Sequence, residues 1–501
     1  MKIVEKILTK RAEKRLAKIY QAHHDASFKQ EQILVEILHT NEDSFYGRKY
    51  DFTHNNTIEK FQKNVPVVSH EDIYTLIDRM HNGEEDLLAT GKIPFFAKSS
   101  GTSTGRSKLL PVSDDTLVDN HYKAGADMYL TQIANNPKTR WWKGRTVFIG
   151  GSVDHNTSAD TLSGDISGIL LTQSPFWTQF FKAPEPEILL EKDWSKKLDN
   201  IVHKIIKKNI TSFAGVPTWT LRILQRAEEI TGKTIKEIWP SFELYIHGGV
   251  SFEPYRTVFK KLLPEQTTYI NAYNSSEGYF AYQDTKNSDE LLLCIEHGIF
   301  YEFMKLDDLK KEKPHTYTID TIEIGVPYAL IITHRAGLYR YNMGDIIEFT
   351  SKDPYRIRIL GRTQQHINIF GEEVMQHNIE AVLSDIERDF SLHTSDYTIG
   401  ARLSLEEGTG AHEWIIEFQE EIDTSQRIIL EEYIDTSLRS KNSDYDSKRQ
   451  GGALLQAPLH IVPKETFHNW LTSKGKTGQS YKVPRLKSDS GIIDEVLSSL
   501  K

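Results

Sequence analysis

Cysteine is almost missing from this chain: one residue, Cys294, in 501. A single thiol excludes an intramolecular disulfide framework and any cysteine-rich zinc site, and it fits the cytoplasm. Net positive charge is missing as well. Lys and Arg number 61 against 70 Asp and Glu, a formal net charge of -9, which argues against a general nucleic-acid binder. No stretch stays apolar for the length of a transmembrane span, so no membrane partner is expected. Heptads, internal repeats and long low-complexity tracts are absent, which leaves a scaffolding role unsupported. The opening Met1-Lys2-Ile3-Val4-Glu5-Lys6-Ile7-Leu8 has no uninterrupted apolar core and runs on into Arg11, Glu13, Lys14 and Arg15. It does not read as a secretory signal.

What is present is an ordinary globular composition, 38% hydrophobic and 26% charged. The length is enough for two or three domains. Ile3, Ile7, Leu8, Leu16, Ile19 and Tyr20 recur at helical spacing and predict an amphipathic helix that docks on the protein's own core. Residues 1–90 read as mainly helical, with apolar periodicity at 31–38 and 71–80. His23-His24 lacks partners at metal-ligand spacing. Beyond residue 140, apolar runs at 145–149, 242–246, 268–273 and 328–333 predict strands, and 212–219 predicts a strand entering a loop. A helical pattern at 195–208 lies among them. Such alternation indicates a layered α/β fold. Several runs end in glycine turns, Gly150-Gly151 and His247-Gly248-Gly249 among them. Ligands of such sheets collect at the carboxyl ends of the strands.

Three stretches carry chemistry. Ser99-Ser100-Gly101-Thr102-Ser103-Thr104-Gly105-Arg106-Ser107-Lys108 is rich in hydroxyls, with two glycines and two cations. Glycines let backbone N–H groups converge on an anion, and hydroxyls add donors without bulk. The spacing differs from a Walker A loop, and the stretch predicts strand, phosphate-cradling loop, then a helix begun at Ser113. The second, Tyr273-Asn274-Ser275-Ser276-Glu277-Gly278, puts a carboxylate at a strand end, suited to magnesium. The third, Tyr339-Arg340-Tyr341-Asn342-Met343-Gly344-Asp345, ends in a carboxylate able to accept hydrogen bonds from both ribose hydroxyls. Each taken alone is also compatible with an ordinary solvated turn.

In combination and in this order, the three stretches resemble the motifs of the auxin-responsive (Gretchen Hagen) acyl-acid amido synthetase family, within the acyl-adenylating superfamily. Tyr355-Arg356-Ile357-Arg358-Ile359-Leu360-Gly361-Arg362 and the residues up to Gly371 look like the superfamily's hinge, although Thr363-Gln364-Gln365 stands where an acidic or basic hinge residue is usual. Lys482, in Tyr481-Lys482-Val483-Pro484-Arg485, matches a lysine near the family's C-terminus. The resemblance implies a large layered α/β domain, 1–362, followed by a smaller, mobile α+β domain, 363–501, in which 440–450 reads as a mobile loop.

The activity implied is an AMP-forming ligase. ATP and a carboxylic acid give an acyl-adenylate and pyrophosphate, and an amine, usually of an amino acid, takes the acyl group. The alternatives are an acyl-CoA ligase sharing the first step and a non-catalytic nucleotide- or acid-binding protein. The resemblance assigns Ser99, Ser100, Gly101, Thr102, Ser103 and Lys108 to the phosphates and Glu277 to Mg2+. It gives Asp345, with Arg362, to the ribose, and Gly248, Gly249, Tyr273, Asn274, Ser275 and Ser276 to the adenine. Lys482 enters when the smaller domain rotates. The family's arginine for the acyl carboxylate, on the helix after the first motif, has no counterpart near 120–124, where His121, Tyr122 and Lys123 stand. These three, with Trp219 and Tyr279, are the acid-site candidates.

Overall fold

The short β-branched and aromatic runs fold as strands of one long mixed sheet in the computed structural model. It describes residues 2–99, 108–191, 194–250, 252–286, 288–309, 311, 314–362, 366–405, 407–474 and 483–500. Half of this sheet is parallel: Lys182–Ala183, Arg145–Phe148, Ile210–Ala214, Leu244–His247 and Thr268–Asn274 lie side by side in that order. The other half is antiparallel and continues through Tyr279–Tyr282, Leu291–Leu293, Tyr355–Arg362, Leu338–Lys352, Pro327–His334 and Ile299–Lys305. All the parallel strands therefore deliver their carboxyl ends to one edge, where the glycine turns gather.

Alternation along a strand decides what each face packs on. Tyr245 joins Phe213, Leu224 and Phe259 beneath the helices Trp194–Ile205, Pro217–Thr231 and Glu253–Leu262. Its neighbours Leu244 and Ile246 face the other way, onto Ile19 and Met128 of the helices Lys2–His24 and Lys123–Asn135. The expected docking of the N-terminal helix on the core is thus observed. The antiparallel half is covered by Ala26–Thr40, Ile58–Asn64 and His70–His81. A smaller C-terminal domain has its own core, with Ile379, Ile399, Trp414 and Ile434. Its four-stranded sheet pairs Thr394–Ser404 with Thr409–Phe418, flanked by Leu459–Val462 and Leu486–Lys487. No helix among the described residues is long and apolar enough to cross a membrane.

Three local expectations are corrected. The hydroxyl-rich loop does not run straight into a helix: it joins the antiparallel strands Phe95–Ser99 and Lys108–Val112. Phe95, Ala97, Leu110 and Val112, paired across the two strands, are all buried, and that shared apolar face selects the hairpin. The helix starts afterwards, with Thr116 N donating to Ser113 Oγ at 3.2 Å, and opens with π-helical turns, Thr116–Tyr122, before Lys123–Asn135. The 212–219 stretch leads into a helix rather than a loop, because Pro217 occupies its first turn, where a missing N–H costs nothing. The polar 440–450 stretch is helical at Ser443–Gln450, capped by Asn442 and anchored by buried Tyr445. His23 is buried, with its Nδ1 taken by Tyr355 N at 3.0 Å, as a core histidine.

Candidate active site

The site begins where the strand Leu244–His247 ends. A Cβ on Gly248 would stand 2.4 Å from the Ala272 carbonyl oxygen, so only glycine allows the two chains to approach this closely. The adjoining strand Thr268–Asn274 turns sharply at Ser275, whose N–H donates to Gly278 O at 2.8 Å. Ser275 Oγ donates to Glu277 Oε2 at 2.5 Å and accepts from Glu277 N at 3.2 Å, which fixes the carboxylate over the turn. Ser276 Oγ reaches Lys98 O at 3.4 Å, tying this turn to the hairpin.

Tyr273 points its hydroxyl at Asp345, donating to Oδ2 at 2.5 Å. Asp345 in turn faces Arg362 directly across two antiparallel strands, and Arg362 Nε lies 2.9 Å from Asp345 Oδ1. Arg362 also donates through Nη1 to Glu373 Oε2 at 2.7 Å and through Nη2 to Met343 O at 3.0 Å. Burial pushes the Asp345 carboxyl above its ordinary value, and Arg362 opposes that rise. Burial also raises Glu277, and burial with nearby Asp345 holds Tyr273 far above the ordinary phenol range. For Arg362, burial acts downward, but Glu373 and Asp345 outweigh it and keep the guanidinium firmly protonated. These groups border a cleft of about 1590 Å³, with Ser99, Gly249 and Asn274 on its rim.

One side chain aligns the helix after the hairpin with this turn. Asn120, on the π-helical segment, accepts from Tyr279 N at 2.6 Å and donates to Tyr279 O and His297 O, both at 3.0 Å.

The remaining assigned residues are placed as follows. Ser100, Gly101, Thr102, Ser103 and Lys482 lie outside the described residues. Lys108 pairs with Ser99 at the loop end of the hairpin, within electrostatic reach of His70 and Glu71. The five acid-site candidates do not converge. His121 is buried, with Nδ1 unpartnered among the described residues, and burial lowers its pKa to about 4. Tyr122 donates to Leu170 O at 2.9 Å. Lys123 is exposed and paired with Asp119, away from the cleft. Trp219 packs at a tilt on Phe370 of the smaller domain, ring centroids 5.8 Å apart, under the Lys448 ammonium. Tyr279 is in the core, its hydroxyl on Met128 Sδ at 3.1 Å.

Within the third motif Met343 and Asp345 line the cleft, and Asp345 is the one that brings a charged group to it. Tyr339 donates to Leu88 O at 2.7 Å, and Arg340 is buried against Glu302 at 2.9 Å. Glu373 is absent from the candidates that the sequence offers: it carries no motif, and its carboxylate reaches Arg362 through the conformation of the turn that holds it. For a metal, Glu277 offers a hard carboxylate oxygen with no lysine or arginine at ion-pair distance among the described residues, which suits magnesium. A second cluster, Asp127, Glu296 and His297, has metal-ligand types. There Arg15 Nη2 already lies 2.6 Å from both carboxylates and supplies the positive charge.

Family models match almost the whole chain in three consecutive stretches. The GH3 family N-terminal domain matches residues 15–268, the GH3 family central domain 292–362 and the GH3 family C-terminal domain 373–491. Among curated proteins, the chain is similar to "Indole-3-acetic acid-amido synthetase GH3.3" of Arabidopsis thaliana, 22% identical over 96% of this chain and 93% of that protein. It is also similar to "Jasmonoyl--L-amino acid synthetase JAR4" of Nicotiana attenuata, 23% identical over 95% and 94%. Among solved structures, the fold matches "AtGH3.15 acyl acid amido synthetase in complex with 2,4-DB", with a TM-score of 0.60, 17% identity and coverage of 97% and 95%.

Proposed function

The chain belongs to the GH3 family, and from that premise we propose that it is an ATP-dependent acyl-acid amido synthetase. It activates a carboxylic acid as an acyl-adenylate, releasing pyrophosphate, and transfers the acyl group to an amine, that of an amino acid, releasing AMP. The observation that carries this reading is the meeting of Ser99, Ser275, Glu277, Asp345 and Arg362, from segments far apart in the chain, on one cleft.

The first step brings a carboxylate against the α-phosphate, so the site must hold two anions in line and offset their repulsion. Asp345 takes the ribose hydroxyls, kept in place by Tyr273 and Arg362. Gly248 and Gly249 with the backbone of Tyr273, Asn274, Ser275 and Ser276 flank the adenine. The hairpin tip, through Ser99, Ser100, Gly101, Thr102, Ser103 and Lys108, donates to the phosphates. Glu277 holds magnesium, and the bound ion supplies charge neutralisation to the phosphates. No covalent enzyme intermediate is needed, so buried Cys294 takes no part. The large domain runs over 1–362 and the smaller one over 363–501, a reading supported by a central-domain match that ends at 362 and a C-terminal match that begins at 373. Lys482 comes in from the smaller domain for one half-reaction and leaves for the other.

The test is AMP formation from Mg·ATP with pooled carboxylic acids, in the presence of pooled amino acids or of CoA, with products identified by mass. An acid-dependent amide is expected. A thioester alone, or no AMP from any acid, overturns the reading.

A further inference from the structure

Glu373 stands in a turn whose backbone is uncommon for its residue type. Its φ is +30°, in a region that side-chain-bearing residues seldom occupy and that persists only when surroundings over-determine it. The surroundings do so. Glu372, fully buried, accepts from Ile369 N at 2.8 Å, Phe370 N at 2.7 Å and His412 Nε2 at 2.8 Å. Gly371 N donates to Asn368 Oδ1 at 2.7 Å, and Ile369 and Phe370 are sunk in the smaller domain's core. Asn442 Nδ2 reaches the Glu373 carbonyl at 3.4 Å. The smaller domain thus builds this turn, and the turn aims one carboxylate outward at Arg362.

Arg362 belongs to the large sheet. Its guanidinium is planar, with donors in a fixed fork, so fixing two of its nitrogens sets the direction of the third. Glu373 holds Nη1 and Met343 O holds Nη2, and Nε is thereby directed at Asp345. Without Glu373 a single carbonyl would orient the fork. We infer that Glu373 is a positioning residue that directs Arg362 at Asp345, making recognition of the nucleotide's ribose depend on the smaller domain standing where it does in this structure. The inference rests on the proposed ribose role of Asp345 and adds to it a link between the two domains.

The experiment is calorimetric titration of the full chain with Mg·ATP and with its 2′-deoxy and 3′-deoxy analogues, in wild type, Glu373→Gln, Arg362→Gln and the double variant. Wild type is expected to prefer ATP over the deoxy analogues. Glu373→Gln should weaken ATP by about tenfold while leaving the analogues nearly unchanged, so that the preference collapses. Because Glu373 acts through Arg362, the double variant should bind ATP no worse than Arg362→Gln alone. If Glu373→Gln does not fold, Glu373→Asp keeps the charge one methylene short and should show an intermediate preference. Undiminished ribose preference in the Glu373 variant, additive losses in the double variant, or parallel losses of ATP and analogues overturn the inference alone. A wild type that binds ATP without ribose preference, or not at all, overturns the nucleotide reading and this inference with it.

Discussion

Arg362 and Asp345 are paired across adjacent strands, Nε to Oδ1 at 2.9 Å, so the carboxylate assigned to the ribose already carries a charge-assisted contact. A second oxygen, Oδ2, takes the Tyr273 hydroxyl. The ribose meets a carboxylate held from both sides, which lowers the reorganisation that binding requires.

Asp345→Ala removes that acceptor and leaves Arg362 short of one partner. The expected cost is on the order of 1.5–3 kcal/mol of nucleotide binding. Calorimetry with Mg·ATP reads it directly, and an unchanged affinity would take Asp345 out of the site.

Glu277→Ala removes the carboxylate positioned by Ser275. AMP formation should fall to background at any magnesium concentration. Magnesium titration of the variant is the check, and wild-type turnover at low magnesium would falsify the metal role.

Asp444 provides a pH test. Burial raises its carboxyl from 3.8 to about 6, with Lys448 opposing and Asp165, Glu373 and Glu372 adding to the rise. A carboxyl raised on folding favours the folded state at low pH, and that contribution is lost as pH climbs from about 4 through 6. Asp444→Asn should therefore gain stability over wild type across that window, by roughly 1–2 kcal/mol. Urea unfolding at pH 4.5 and 7.5 measures it; a difference independent of pH contradicts the assignment.

Arg340→Met tests the division of labour inside the third motif. Arg340 is tied to Glu302 and to the Val65 carbonyl at 2.7 Å, all buried, so its loss strands a carboxylate in the core. The expected destabilisation is about 3–5 kcal/mol. Denaturant unfolding gives the value, and any variant that remains folded should bind ATP as wild type does.

The parallel half of the sheet was readable from the sequence because its turns demand glycine, as the crowding at Gly248 illustrates. Asp345 and Glu277 were readable because their neighbours form recurring motifs. What hid the second hairpin strand was its content: Lys108–Val112 contains Pro111 and is selected by its pairing with Phe95–Ser99, not by its own pattern. Ser443–Gln450 reads as a loop because it is almost wholly polar. Its helix depends on the Asn442 cap and on Tyr445 and Arg449 both reaching Asp435 at 2.7 Å. Glu373 was missed because its role follows from a backbone conformation, which residue type alone does not announce. The same limit applies within Tyr339-Arg340-Tyr341-Asn342-Met343-Gly344-Asp345, where packing and chemistry share one signature.

The amide of Asn120 has the donors and acceptor of a peptide group, and residue 279 receives it as it would a neighbouring strand. Its two ends are 159 positions apart in the chain. Were the helix after the hairpin and the Ser275 turn located only through the intervening chain, small deviations at each link would accumulate, as tolerances do in a long assembly. One short strut replaces that accumulation with a single fixed dimension. The Thr116–Tyr122 segment and the end of the Ser275 turn are in effect machined from a common datum.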